Sequence, residues 1–261
     1  MYTWKSWRDS RASFFALLIL SSLLTFLWAA AVRLGIAETP EEMRPDLVVA
    51  SVTAGSVFLM SPVAVLIGLV LGSKGIGVDL GKPSAEFLFT RPVSRWRLLC
   101  SNYGVGILEI LVLVAFTAAL TIVMTSGRIA AVWYCGVARS CAATMLSPGT
   151  RIYPVLLFIS YLLIALGTYF LTQLIAIITR DGRRAFGISA GLILTFWFGT
   201  LAFTRFTAIE VPSLTGFTIH NFDTHSSEIS YAAPIFPLIA CAVFGLLAIW
   251  AASLLLNRAE I

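Results

Sequence analysis

Residues 13–37 read SFFALLILSSLLTFLWAAAVRLGIA, and this stretch decides what kind of molecule the chain makes. In 25 positions it holds one charge, Arg33, placed near the end where a long side chain can snorkel to an interface. A helix needs about 20 apolar residues to cross a hydrocarbon core. Five further runs meet that requirement: Leu47–Gly72, Tyr103–Thr125, Ile152–Thr179, Phe186–Thr204 and Ile235–Leu256. Across all six runs the only other charge is Glu109. None alternates apolar with polar residues, as the strands of a membrane barrel would. The first run is too long for a signal-peptide core and no clear small-x-small site follows it, so it is expected to stay as a span.

The whole composition agrees. Of 261 residues, 59% are hydrophobic and 12% charged, with a mean hydropathy of +0.92. Soluble domains carry about 25% charged residues, so a water-soluble enzyme is excluded. The basic balance of +5 does not point to nucleic acid, because Lys and Arg are scattered between apolar runs instead of forming one basic face. They follow membrane topology instead. With both termini inside, the inner segments hold twelve basic and five acidic residues, and the outer ones, counting Arg33, six basic and seven acidic. The positive-inside rule then sets both termini in the cytoplasm, with the turn RDGRR (180–184) as the firmest anchor. The expectation is one all-α integral membrane domain over residues 1–261, with six transmembrane helices and no linker or repeat dividing it.

Several local patterns imitate catalytic motifs. GIGVDLGKPS approaches a phosphate loop, but Ile76 stands where the first glycine is needed and Pro83 follows Lys82; a flexible turn is expected. GISAG (187–191) fits the frame around a nucleophilic serine, Ser189, yet it lies inside a span and no histidine occurs in any span. Gly187 and Gly191, like Gly68 and Gly72, are instead expected to permit close helix packing. His220, Asp223 and His225 match no metal-ligand spacing, and a solvated loop is expected. No metal site and no cofactor on this chain are expected. Cys135 and Cys141 share an outer loop, where a disulfide is chemically allowed; the bridged and free forms both stand open. Cys100 and Cys241 are expected to be inert apolar fillers.

Two features are candidates for a pathway or gate. Glu109 interrupts the apolar run GILEILVLVAF, where a charge is costly and must face the protein interior, either as a substrate contact or part of a gate, or in a structural hydrogen bond to a Ser, Thr or Tyr of a neighbouring helix. In the fourth span Tyr161, Thr168, Thr172 and Thr179 fall on one helical face, with Tyr169 and Gln173 beside them. That face suits either a substrate path or a polar seam between helices.

The most informative segment between spans is SAEFLFTRPVSRWRLLCSN (84–102). Ser84 and Glu86 suit the start of a short helix, which presents Phe87, Leu88 and Phe89. Pro92 forces Arg91 out of helical geometry. Ser94 can cap a second helix that climbs into the membrane, and Arg91, Arg95 and Arg97 flank the break. Such a segment suits either anionic lipid or a soluble partner.

Here the chain resembles the permease subunits of type-2 ABC exporters. In that family an acidic residue, a few apolar residues, Pro-hydrophobic-Ser-Arg and a Leu join the second and third spans; this chain has Glu86, Leu88, Arg91-Pro92-Val93-Ser94-Arg95 and Leu98. The opening MYTWKSWRDSR, basic with Trp4 and Trp7, is similar to the family's amphipathic N-terminal interfacial helix. The resemblance implies a bacterial inner-membrane permease, dimeric with a second copy or a paralogue. Two separate ATP-binding subunits would hold ATP and Mg and push on the cytoplasmic coupling helix (Glu86, Phe87, Leu88, Phe89, Arg91, Pro92, Ser94, Arg95). No nucleic-acid partner is implied, and membrane lipid surrounds the chain. The rival readings are an ion- or proton-coupled secondary transporter, a membrane-embedded enzyme, and a non-transporting anchor for an ATPase.

Overall fold

A computed structural model describes residues 2–37, 61–74, 78, 95–125, 148–207, 217–223, 226–231 and 235–258. These residues form helices α1 (Tyr2–Ala37), α2 (Ser61–Gly72), α3 (Arg95–Thr125), α4 (Pro148–Thr179), α5 (Gly182–Thr207) and α6 (Ile235–Arg258), with strands β1 (Phe217–Asp223) and β2 (Ser226–Tyr231) before the last helix.

The helices are long because nothing in them competes with helical hydrogen bonding. From Tyr2 to Leu34 α1 meets neither proline nor glycine, so the basic opening and the apolar run behind it form one continuous 36-residue helix. The separate interfacial helix expected from the sequence is therefore absent, and Trp4 and Trp7 sit on the first turns of the span itself. α3 is described from Arg95 onward, and Ser94, its expected cap, lies outside the described residues. α4 ends where Arg180 turns to a left-handed φ of 54°. Asp181 starts the next helix: its Oδ1 accepts the Arg183 amide at 2.8 Å and its carbonyl accepts the Ala185 amide at 2.9 Å. The carboxylate also favours that helix N-terminus electrostatically and pairs with Arg184 at 3.5 Å.

Four helices hold stretches long and apolar enough to cross a membrane: Trp4–Ala31, Leu99–Leu120, Phe158–Thr179 and Pro237–Leu254. Large apolar side chains point away from the bundle along them, among them Ile19, Leu108, Ile178, Leu246 and Trp250. Water would not tolerate such a surface, whereas lipid is its natural solvent. The chain is thus a helical membrane protein. Of the expected second span, α2 supplies residues 61–72, and residues 47–60 lie outside the described ones.

α4 is the centre of the bundle, packed most extensively on α2 and α6, while α1 packs on α3. Tyr161, Ala165, Tyr169 and Ile177 of α4 are buried with Ile67 of α2, Ile110 and Leu113 of α3, and Ala248 and Ala252 of α6. Tyr169 stacks edge-on against Tyr103 and Phe170 at centroid distances of 6.4 and 5.4 Å. The pairing of levels gives the chain direction. Gly68 faces Ala165 and Thr168 while Gly72 faces Tyr169 and Thr172; Gly167 faces Cys241 while Gly245 faces Phe170. So α2, α4 and α6 run one way. α5 follows α4 through a tight turn and runs the other way. Tyr103, whose hydroxyl donates to the Ala248 carbonyl at 3.3 Å, and Gly106, opposite Tyr169, set α3 against α4 and α6.

The hairpin β1–β2 was not foreseen by a purely α reading. It pairs antiparallel, with Phe217 opposite Tyr231, Ile219 opposite Ile229 and His220 opposite Glu228, and an irregularity between His220 and Asp223. β-branched and aromatic residues alternating with polar ones over 217–231 were the available signal.

Candidate functional site

Glu109 is the only acidic residue in the apolar part of a described helix, and the fold hides it: it is 4% exposed. Ser10 of α1 donates its hydroxyl to Glu109 Oε1. That serine also lies 3.0 Å from the Ser6 carbonyl and 3.2 Å from the Trp7 carbonyl. A hydroxyl has one proton, so it serves either the carboxylate or its own helix. Sequence reasoning expected a Ser, Thr or Tyr partner for Glu109 but could not name it. The partner is 99 residues away, and it reaches Glu109 because α1 continues unbroken back to its basic opening.

On α4 the hydroxyls of the candidate face turn inward on their own helix. Thr168 Oγ1 donates to Ile164 O or Ala165 O (2.9 and 3.0 Å), Thr172 Oγ1 to Thr168 O (2.8 Å) and Thr179 Oγ1 to Ile175 O (2.8 Å). Thr168 and Thr172 face glycines of α2. A Cβ on Gly72 would lie 2.7 Å from Thr172 Cβ and 2.8 Å from Tyr169 O, and one on Gly68 would collide with Thr168 Oγ1 and Ala165 O. The geometry favours the seam reading for Thr168 and Thr172, with Gly68 and Gly72 supplying the close approach expected of them. Tyr161 is buried in the core.

Gln173 and Tyr169 differ from the threonines. Gln173, one turn along α4 from Tyr169, is 1% exposed and leaves its Oε1 without a hydrogen-bond partner. The Tyr169 hydroxyl lies against α3 at Gly106, where a Cβ would collide with it and sit 2.7 Å from its Cζ. Glu109 stands one turn further along α3, and its carboxylate acts electrostatically on that hydroxyl. Lys74, exposed at the end of α2, acts electrostatically on Glu109 in turn. The fold thus gathers Glu109, Tyr169 and Gln173 and leaves Thr168 and Thr172 to packing.

The other candidates divide. Ser189 is fully buried with its hydroxyl unpartnered, and among the described residues no histidine, cysteine or acidic cluster able to hold a metal accompanies it. Among the described residues Gly187 and Gly191 meet nothing within 4 Å, so the packing expected of them does not occur there. Cys241 is half-buried against the core, as a filler would be, but Cys100 is exposed. Residues 84–94, which hold Glu86, Phe87, Leu88, Phe89, Arg91, Pro92 and Ser94, lie outside the described residues, as do Cys135, Cys141 and His225. Arg95 opens α3.

No family model, curated protein or solved structure matches the chain.

Proposed function

We propose that the chain is the membrane permease subunit of an ATP-driven exporter of the type-2 ABC class, working as a dimer with separate ATP-binding subunits in a bacterial inner membrane. The observation that carries this reading is the segment Glu86–Leu98, whose acidic, apolar and Arg-Pro-Val-Ser-Arg pattern resembles the coupling helix of that class. Its flanks support the reading. Gly72, the last residue of α2, faces Tyr169, whose hydroxyl meets Gly106 in the first half of α3, so the chain leaves α2 and enters α3 at the same end of the bundle. Ser10 of α1 also meets Glu109, the start of α5 meets Ser73, and Tyr103 meets the last turns of α6. That end carries Lys5, Arg8, Arg11, Lys74, Arg97, Arg180, Arg183 and Arg184, the charge expected of a cytoplasmic face. In this reading α2 and α5 join the four long apolar helices to make six spans, with both termini inside.

An apolar trio such as Phe87, Leu88 and Phe89 suits a groove on a partner, and burying one Phe contributes about 1.5–3 kcal/mol. Phe89→Asp is expected to weaken co-purification with the cognate ATP-binding subunit at least tenfold while the permease still inserts. Association and transport equal to wild type in that variant would reject the coupling role. An ion-coupled transporter is the second reading, favoured by one observation, the burial of Glu109 between α1 and α3.

A further inference from the structure

We propose that Glu109, Tyr169 and Gln173, backed by Ser10, bind one dehydrated monovalent metal cation inside the bundle. The inference goes beyond the transport class and holds under either reading of it.

Three observations meet here. First, the carboxylate of Glu109 is buried, and among the described residues no ion pair joins it to Lys74, the cation whose charge reaches it. An unpaired buried charge is expensive, and one hydroxyl from Ser10 compensates only part of that cost. Second, Gln173 Oε1 is buried and accepts no hydrogen bond. An amide oxygen in that state is rare in a native interior, and a bound ion or water is what usually satisfies one. Third, the two groups converge. Side chains lean toward the N-terminus of their own helix, and α3 and α4 run in opposite directions. Glu109 therefore leans back toward the level of Gly106, and Gln173 leans toward Tyr169, whose hydroxyl stands at Gly106. The glycine is what lets the hydroxyl come that close to α3.

The donor set defines the ligand class. It offers one carboxylate and neutral oxygens from an amide and a phenol. Divalent calcium or magnesium recruits more carboxylates or keeps much of its water. One formal negative charge among neutral oxygens matches a single positive charge, as carbonyl-rich sodium sites in transporters do. A proton is the competing occupant. It would reside on Glu109, which would donate to Ser10 while Ser10 turned to Ser6 O, but it would leave Gln173 Oε1 as bare as before.

The test uses the full-length protein in detergent at fixed pH and ionic strength. Thermal unfolding is followed in sodium, potassium and choline chloride, and radioactive sodium or rubidium is measured by equilibrium dialysis. The expected result is a saturable upward shift of several degrees with sodium or potassium over choline, and one bound cation per chain. Glu109→Gln, which keeps the shape and the bond to Ser10, should lose both, and Gln173→Leu should weaken binding at least tenfold. Lys74→Gln removes a repelling charge and should tighten binding severalfold; weaker binding in that variant would overturn the assignment. So would equal melting in all three salts with no bound isotope, or a melting temperature that follows pH alone, which would mark a proton as the occupant. The dialysis on wild type decides the matter even if a variant fails to fold. Association with an ATP-binding subunit is a separate readout, so the failure of either proposal is seen independently.

Discussion

Two pairs of glycines in this chain share a spacing and nothing else. Gly68 and Gly72 of α2 lie four residues apart, as do Gly187 and Gly191 of α5. The first pair is pressed onto Ala165, Thr168, Tyr169 and Thr172 of α4, so closely that no side chain fits. The second pair meets nothing within 4 Å among the described residues, on a surface shared with the exposed Ile188, Leu192 and Leu194. A Gly-x3-Gly pattern therefore states only that two backbones can approach. What makes the approach happen is the opposing face. On α4 it is Thr168 and Thr172, whose hydroxyls are spent on their own helix, leaving small side chains to fit against glycine. α5 turns its fully buried residues, Ala185 and Ser189, inward and its glycines out.

The largest effect should come from filling the packed pair. Gly68→Leu places a side chain where Thr168 Oγ1 and the Ala165 carbonyl already stand, and neither backbone yields cheaply. Overpacking costs about 1–3 kcal/mol even where a core relaxes, and here two helices must separate. The expected outcome is a protein with no cooperative thermal transition in detergent, against a normal transition for Gly187→Leu. Equal melting of the two variants would break the comparison.

Gly106→Ala comes next. The group it meets is the ring end of Tyr169, held by Tyr103 and Phe170. A loss of about 1–3 kcal/mol is expected, read as a lower melting temperature. Tyr169→Phe removes the colliding oxygen, so the double variant should lose less than the sum of the two single changes; strict additivity would show that the ring can move aside.

These contacts mark how far the sequence could be read. The helices were legible from uninterrupted apolar length. Glu109 was legible as an interior group, because a charge in an apolar run has nowhere else to go. Its partner Ser10 was not, since pairing across 99 residues depends on how α1 settles on α3. The division of α4 into a packing seam at Thr168 and Thr172 and a polar cluster at Tyr169 and Gln173 was hidden for the same reason. All lie within one broad face, and only the neighbouring helices separate them. The basic opening merged into α1 because a similarity of composition does not create a helix break.

A smaller effect should follow from Thr172→Val, which keeps shape on the seam and deletes a hydroxyl bonded only to Thr168 O. The carbonyl it leaves already accepts its helical partner, so the expected change is under about 1 kcal/mol in melting. A larger loss would show that the hydroxyl serves the α2 side and that the seam is polar after all.

The smallest effect should have the opposite sign. Gly187→Ala adds a methyl where none of the described residues lies within 4 Å. Glycine inside a helix is less favourable than alanine by about 0.5–1 kcal/mol, because it loses more backbone freedom on folding. With no collision to offset that gain, Gly187→Ala should melt slightly higher than wild type. Gly72→Ala, the same change at the packed pair, should melt lower, since its methyl would lie 2.7 Å from Thr172 Cβ. The sign is the informative quantity: helix propensity acts equally at both positions, so only the opposing surface can reverse it. A fall in stability at Gly187 would therefore mean that a surface outside the described residues covers α5, and comparing the melting of Gly187→Ala with wild type at several protein concentrations would show whether that surface is another protein molecule.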